Sequence, residues 1–139
     1  MTEKPYNKPV PDVDEPSMAP FWAAARERRL SAQQCTSCKS LRYPALEICP
    51  ECLEMGSEWV DVSTEGTIWS FATYHRAFHP GFKDELPYVA AIVENADGVR
   101  YTGRIMGPRD NLKVGAKVRA VFIDCTDTFT LPAWEVVAD

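Results

Sequence analysis

The chain has 139 residues, of which 45% are hydrophobic, 25% charged and 11% aromatic. That is enough for one domain, or two small packed units, and excludes both wholesale disorder and a large enzyme fold such as a (β/α)₈ barrel. Fifteen basic against twenty acidic residues leave a formal charge of −5, the wrong sign for binding driven by phosphate neutralisation.

The first twenty residues hold five of the eleven prolines and, with Lys4 and Lys8 against Glu3, Asp12, Asp14 and Glu15, a net charge of −2. Such a stretch cannot form a helix or bury much, so residues 1–16 are expected to be an extended arm, mobile by itself or ordered against a partner. The arm has no apolar core of the signal-peptide kind, and apolar runs such as 88–93 are too short to span a bilayer. A cytoplasmic protein without membrane contact is expected, in a compartment where thiols stay reduced.

A helix is expected over 17–30, with Ser17 as its cap and Pro20 in its first turn. Phe21, Trp22, Ala25 and Arg29 fall on one face. Core packing is the first reading of this aromatic stripe, and a partner-binding surface the second.

Cys35-Thr-Ser-Cys38 and Cys49-Pro-Glu-Cys52 form two CxxC pairs separated by ten residues. Two intervening residues let both thiolates of a pair converge on one ion, and two such knuckles complete a closed four-sulfur shell. With no open coordination position, the metal stabilises and does not catalyse. Structural zinc is the expected ion and iron the alternative. Cys125 stands apart, on an expected strand, and reads as a small packed hydrophobe.

From Trp59 onward the pattern is β. Residues 66–76, 88–93, 99–106 and 118–124 alternate, and 129–137 is a fifth strand that Pro132 should confine to an edge. Turn signals at Asp97-Gly98, Gly107-Pro108 and Val114-Gly115 separate them. A mainly β chain results: arm 1–16, helix plus zinc ribbon 17–57, and a five-stranded OB-type barrel 58–139, with an open sandwich as second choice.

These landmarks occur in a telling order. Phe21-Trp22 heads the helix, Leu30 precedes the first CxxC, Arg42-Tyr43-Pro44 leads to Cys49-Pro-x-Cys52, and Trp59 precedes Gly66-Thr-Ile-Trp-Ser-Phe. Over residues 18–137 the chain resembles the "domain of unknown function 35" family, a rubredoxin-like zinc ribbon joined to an OB fold. The resemblance implies a non-catalytic accessory subunit, partnered with a thiolase-superfamily protein of thiolase or retro-aldolase type. It further implies that the OB unit helps hold an acyl-CoA and shape the route to the partner's active site. One departure is visible. The family often places Gly soon after each CxxC, where a knuckle needs positive φ, whereas this chain has Lys39-Ser40 and Leu53-Glu54.

Independent catalysis finds little support. There is no Gly-x-Ser-x-Gly elbow, no HExxH, no phosphate-cradling glycine loop, and no convincing Cys–His pair, so no catalytic residue is assigned. The connection 75–87 is richer. Its Arg76, Phe78, His79, Phe82 and Lys83 offer aromatic faces for adenine and cations for the phosphates of a CoA ester. An ordinary surface loop is the plainer reading, and the family resemblance favours a binding loop. Arg100, Thr102 and Arg104 share a polar strand face; it is either simply solvated or, with Arg76, a seat for the CoA 3′-phosphate. Two other functions remain in view, a free-standing acyl-CoA binder and an OB-type single-strand binder. Nucleic acid as a partner is disfavoured because residues 21–50 carry net +3 but residues 51–139 carry net −6.

Overall fold

The structure, a computed structural model, describes residues 6–137; the first five residues of the expected arm lie outside that range. The elements in order are α1 (Ala19–Arg26), β1 (Leu30–Cys35), β2 (Leu41–Arg42), β3 (Ser57–Val62), β4 (Glu65–Tyr74), a 3₁₀ turn (Pro80–Glu85), β5 (Tyr88–Asn95), β6 (Arg100–Met106), β7 (Lys117–Asp124) and β8 (Thr130–Val136). Strands β2-β1-β3 form a small antiparallel sheet, and β4-β5-β6-β8-β7 close into a barrel. Among the described residues, no helix is long and apolar enough to cross a membrane.

The helix is shorter than its expected span of 17–30. At its start, the Ser17 amide and hydroxyl both turn back to the Glu15 carboxylate, so Met18 takes the cap position without a side-chain bond. At its end Arg28 adopts φ 63°, and the Arg29 and Arg28 amides bond to Ala24 O and Ala25 O at 2.9 and 3.0 Å. That is a Schellman closure with arginine where glycine is usual. It releases Leu30 into β1, opposite Val62.

β3, which the alternation pattern did not separate from the barrel, pairs with β1 from Leu30↔Val62 to Cys35↔Ser57, so the ribbon sheet takes in residues on both sides of the expected division at 57/58. One further expectation is corrected. β8 is not an edge strand. It pairs with β7 throughout and closes the barrel by a short parallel contact with β6 at Ile105↔Trp134 and Met106↔Glu135. Pro132 lies outside that contact, so closure does not call on its missing N–H.

One core serves both sheets. Phe21, Leu30 and Ala32 pack in a single cluster with Ile68, Val93, Tyr101, Ile105 and Trp134. Phe21 is the hub, with ring centroids 4.9 Å from Tyr43, 5.0 Å from Trp22, 6.3 Å from Tyr101 and 6.4 Å from Trp59. It is 3% exposed, so the aromatic stripe of α1 serves the chain's own core and Phe21 is not available to a partner. Tyr101 extends the junction by donating its hydroxyl to Ser31 O at 2.7 Å. Gly103 is required by packing, since a Cβ there would sit 3.0 Å from Cδ1 of Trp134.

The described part of the arm, residues 6–16, forms neither helix nor strand and lies against this chain's own barrel. Tyr6 meets Phe129 edge-on at 6.1 Å and Lys8 pairs with Glu85 at 2.6 Å. The backbone of Asn7 passes so close to Gly81 that a Cβ there would collide with the Asn7 carbonyl oxygen.

Truncating Phe21 to alanine should lower stability by about 3–5 kcal/mol, the usual range for a buried aromatic. Ribbon and barrel should then melt together at a lower temperature. Calorimetry showing two separated transitions, or none shifted, would contradict the shared core.

Candidate metal centre and ligand cleft

Each knuckle is built by the same backbone pattern. The Cys35 amide bonds to Ser40 O at 2.9 Å and Lys39 N to Cys35 O at 3.1 Å; in the second, Cys49 N bonds to Glu54 O at 3.0 Å and Leu53 N to Cys49 O at 2.9 Å. The turn in each needs a left-handed residue. Lys39 (φ 67°) and Leu53 (φ 65°) supply it, at a steric cost of roughly 1–2 kcal/mol apiece that glycine would avoid. The knuckle geometry therefore survives the absence of glycine.

The four sulfurs lie within 4.8 Å of one another. Cys35 Sγ is 3.6 Å from Cys52 Sγ, and Cys38 Sγ is 3.6 Å from Cys49 Sγ. Tetrahedral bonds of 2.3 Å to a central ion would place sulfurs about 3.8 Å apart, so the set fits a closed four-thiolate site. Backbone N–H groups also point inward, from Cys38 to Cys35 Sγ at 3.5 Å and from Glu51 to Cys49 Sγ at 3.4 Å. The Ser40 hydroxyl and the Cys52 and Glu51 amides hold the Cys49 thiol down to about 6. Cys52, despite an amide from Glu54, is pushed up to about 11 by burial and the sulfurs beside it. Four thiolates at this spacing repel one another unless a cation compensates them, and the chemistry is that of a structural metal. Cys125 lies just beyond β7, half-buried, with its thiol turned to Ile123 O at 3.5 Å.

The other candidate residues separate into groups. An aromatic ladder crosses the loop after β4: Phe78 to Tyr74 at 6.3 Å, Tyr74 to Tyr88 at 5.0 Å, Tyr88 to Phe82 at 5.3 Å, and Phe82 to His79 at 6.3 Å. Arg76 lies over the exposed Phe78 ring at 5.6 Å, and Lys83 stands in the 3₁₀ turn. At the inner end Arg104 lies over Tyr88 at 4.5 Å and reaches Glu85 at 3.4 Å. His79 Nδ1 accepts the Gly81 amide at 3.0 Å and so starts the 3₁₀ turn. Arg100 belongs elsewhere: it pairs with Glu94 at 3.1 Å and covers Trp69 at 4.2 Å.

Where the arm crosses the barrel a cleft of about 340 Å³ opens, lined by Tyr6, Lys8, Phe82, Tyr88, Arg104 and Phe129 among others. Burial, with Cys125 alongside, raises the Tyr6 hydroxyl to about 12, so this phenol is a neutral donor in the wall of the cleft. Tyr6 and Lys8 escaped the sequence reading because a proline-rich acidic arm gives no sign of which surface it will meet. Tyr74 and Tyr88 were legible only as strand residues.

Comparison with known proteins follows the same two parts. Residues 22–55 match the ChsH2 rubredoxin-like zinc ribbon domain, and residues 59–123 the ChsH2 C-terminal OB-fold domain. A DUF35 domain-containing scaffold protein of Methanocaldococcus jannaschii is 33% identical over 104 residues, which are 73% of each protein. A probable enoyl-CoA hydratase alpha subunit of Thermomonospora curvata is 34% identical over 116 residues, 82% of this chain but 36% of that protein's length. Among solved structures, a chain of the Ltp2-ChsH2(DUF35) aldolase superposes with a TM-score of 0.79 and 30% identity, over 91% of this chain and 98% of that one.

Replacing Cys35 by serine should abolish metal binding, read as the loss of one equivalent per chain by mass spectrometry. The ribbon should lose its amide-exchange protection while much of the barrel keeps its own. Unchanged melting together with no metal in the wild type would refute the site.

Proposed function

Because the chain belongs to the DUF35 family of zinc-ribbon and OB-fold proteins, we propose that it is the non-catalytic accessory subunit of a thiolase-superfamily complex, of thiolase or retro-aldolase type. In this reading it helps bind an acyl-CoA and completes the channel to the partner's active site. The partner carries the nucleophile and base. The proposed ion is zinc, held by Cys35, Cys38, Cys49 and Cys52, where it supplies structure and no open coordination position. A cytoplasmic setting, which keeps those thiols reduced, goes with it.

The observation that carries the ligand half of the proposal is the aromatic ladder from Phe78 to Phe82, with a guanidinium on it near each end. Arg76 rests on Phe78 at the outer end, and Arg104 on Tyr88 near the inner one. A CoA ester has one planar base, several phosphates and a flexible apolar-polar arm. Stacked rings receive the base, cations the phosphates, and a narrow cleft the pantetheine. Arg76, Phe78 and Lys83 form the exposed end of this path, and His79, Phe82 and Arg104 its half-buried end. Arg100 is left out of the ligand path, since Glu94 already neutralises it beside Trp69. Engagement of the other reactive groups in structure also supports the accessory role: four of five cysteines line the metal site, and His79 is tied to Gly81.

The test is recovery of the tagged full chain from its own cells, with the associated catalytic subunit identified by mass spectrometry. A stable complex that turns over CoA esters is expected. Within it, Arg76→Ala should raise KM for the ester by about three- to tenfold, the loss expected of one exposed phosphate contact, with the melting temperature of this chain unchanged. A chain that runs alone, or a complex with wild-type kinetics in the variant, would count against the subunit role and the loop role respectively.

A further inference from the structure

The ribbon exposes an apolar patch that its own fold does not use. Leu46, Ile48, Leu53 and Met55 are 47%, 53%, 75% and 68% exposed. Ile48 and Met55 are bridge partners across the second knuckle, which turns their side chains to the same side. Leu53 sits at the tip between them in sequence.

Leu53 is the informative residue. It holds the left-handed conformation that its turn requires, where glycine would be unstrained, and its side chain gains almost no burial in return. Within this chain, then, leucine is worse than glycine at position 53. A strained residue retained without internal benefit points to something outside the chain. Lys39, the counterpart in the first knuckle, has the same φ but a solvated polar side chain. The two knuckles thus share a backbone and differ in what they present.

Charge selects the occupant. Residues 46–58 contain Glu47, Glu51, Glu54 and Glu58 and no lysine or arginine. All four carboxylates are exposed, and among the described residues none forms an ion pair. Two copies brought face to face would oppose like charges, so a second copy of this chain is disfavoured. The complementary surface is apolar at its centre and ringed by lysine or arginine.

We infer that the second knuckle, centred on Leu53, Ile48 and Met55, is the docking surface for a partner protein that presents an apolar patch with a basic rim. This rests on the accessory-subunit reading and assigns that subunit's contact. The metal shell directly beneath, and the Cys49–Glu54 backbone bonds, hold the patch rigid before binding, which lowers the entropic cost of association. The acidic rim accelerates encounter, and the apolar centre slows release.

The experiment titrates the full metal-bound chain against the catalytic subunit recovered with it, by surface plasmon resonance. Leu53→Gly should leave the isolated chain as stable or more so, because strain is relieved, and yet weaken binding at least about tenfold, as for a central interface residue. Opposite signs in the two readouts separate docking from folding. Met55→Glu, at an exposed position with negative φ, should weaken binding as much or more and decides the matter whatever Leu53→Gly does to melting. The double variant Glu51→Gln, Glu54→Gln should slow association and flatten its salt dependence.

Wild-type affinity in both Leu53→Gly and Met55→Glu would overturn the docking surface while leaving the accessory role intact. A wild-type chain that dimerises by sedimentation, and is made monomeric by Leu53→Gly, would replace the proposed partner by a second copy and overturn the assignment. Failure to recover any complex would overturn the accessory reading and this surface with it.

Discussion

Strand β1 is the piece on which the rest of the molecule depends, because its two faces serve two different kinds of stabilisation. Leu30 and Ala32 point into the core beneath Phe21, fully removed from water. The alternate residues serve the ribbon. Gln33 Oε1 accepts both Arg42 Nε and the Leu46 amide at 2.8 Å, while Cys35, the last residue of the strand, belongs to the four-thiol cluster that could hold a metal ion. A ribbon with so few buried apolar side chains cannot fold on hydrophobic burial alone, and a metal shell by itself would not orient it. Six residues of alternating strand couple the two, so displacing the metal loosens the ribbon, while displacing Phe21 loosens both.

The same economy governs the cleft. Glu85 receives Lys8 from the arm and Arg104 from β6, and the rings of Phe82 and Tyr88 lie beneath those cations. Two positive groups around one carboxylate leave the cleft with a residual positive character inside a barrel that is negative overall. The field is therefore focused where the aromatic faces are, and an anion drawn there would not be drawn to the rest of the surface. The Asn7 backbone packed on Gly81 makes the arm part of this wall.

What was legible in the sequence is what depends on local spacing. The CxxC pairs name their own cluster, and the barrel strands announce themselves by alternation, which is why all five fall within two residues of their expected limits. Features set by tertiary context were not legible. Ser31-Ala-Gln-Gln has no strand signature, because its burial comes from a helix and a barrel distant in sequence. The early end of α1 follows from Arg28 accepting a conformation that favours glycine. Arg100 and Arg104 do share a face, as period two requires. Four residues of strand nonetheless place them about 13 Å apart, and their neighbours differ: Trp69 and Glu94 at one, Tyr88 and Glu85 at the other. Parity identifies a face and says nothing about a site.

Charge position, too, argues differently from charge count. The basic stretch 21–50 looked like the one region able to meet a phosphate chain. Three of its four arginines are already engaged: Arg28 forks onto Asp124, Arg29 bridges Glu27 and Asp61, and Arg42 is buried against Gln33 and Leu46 O. The Arg28 guanidinium and the Thr130 hydroxyl hold the Asp124 carboxyl down to about 2, so this pair stays ionised at any physiological pH and ties the helix end to β7. Of the positive charge in that segment, Arg26 and Lys39 remain. Residues 46–58, by contrast, carry four exposed carboxylates in the segment that holds Cys49 and Cys52, and a dication on four thiolates would itself leave a net negative charge there. The ribbon is accordingly acidic where it is apolar and exposed, while of its basic groups Arg42 is buried and Arg28 and Arg29 are held in ion pairs. That polarity favours a protein with a basic rim over a nucleic acid as the thing the ribbon meets.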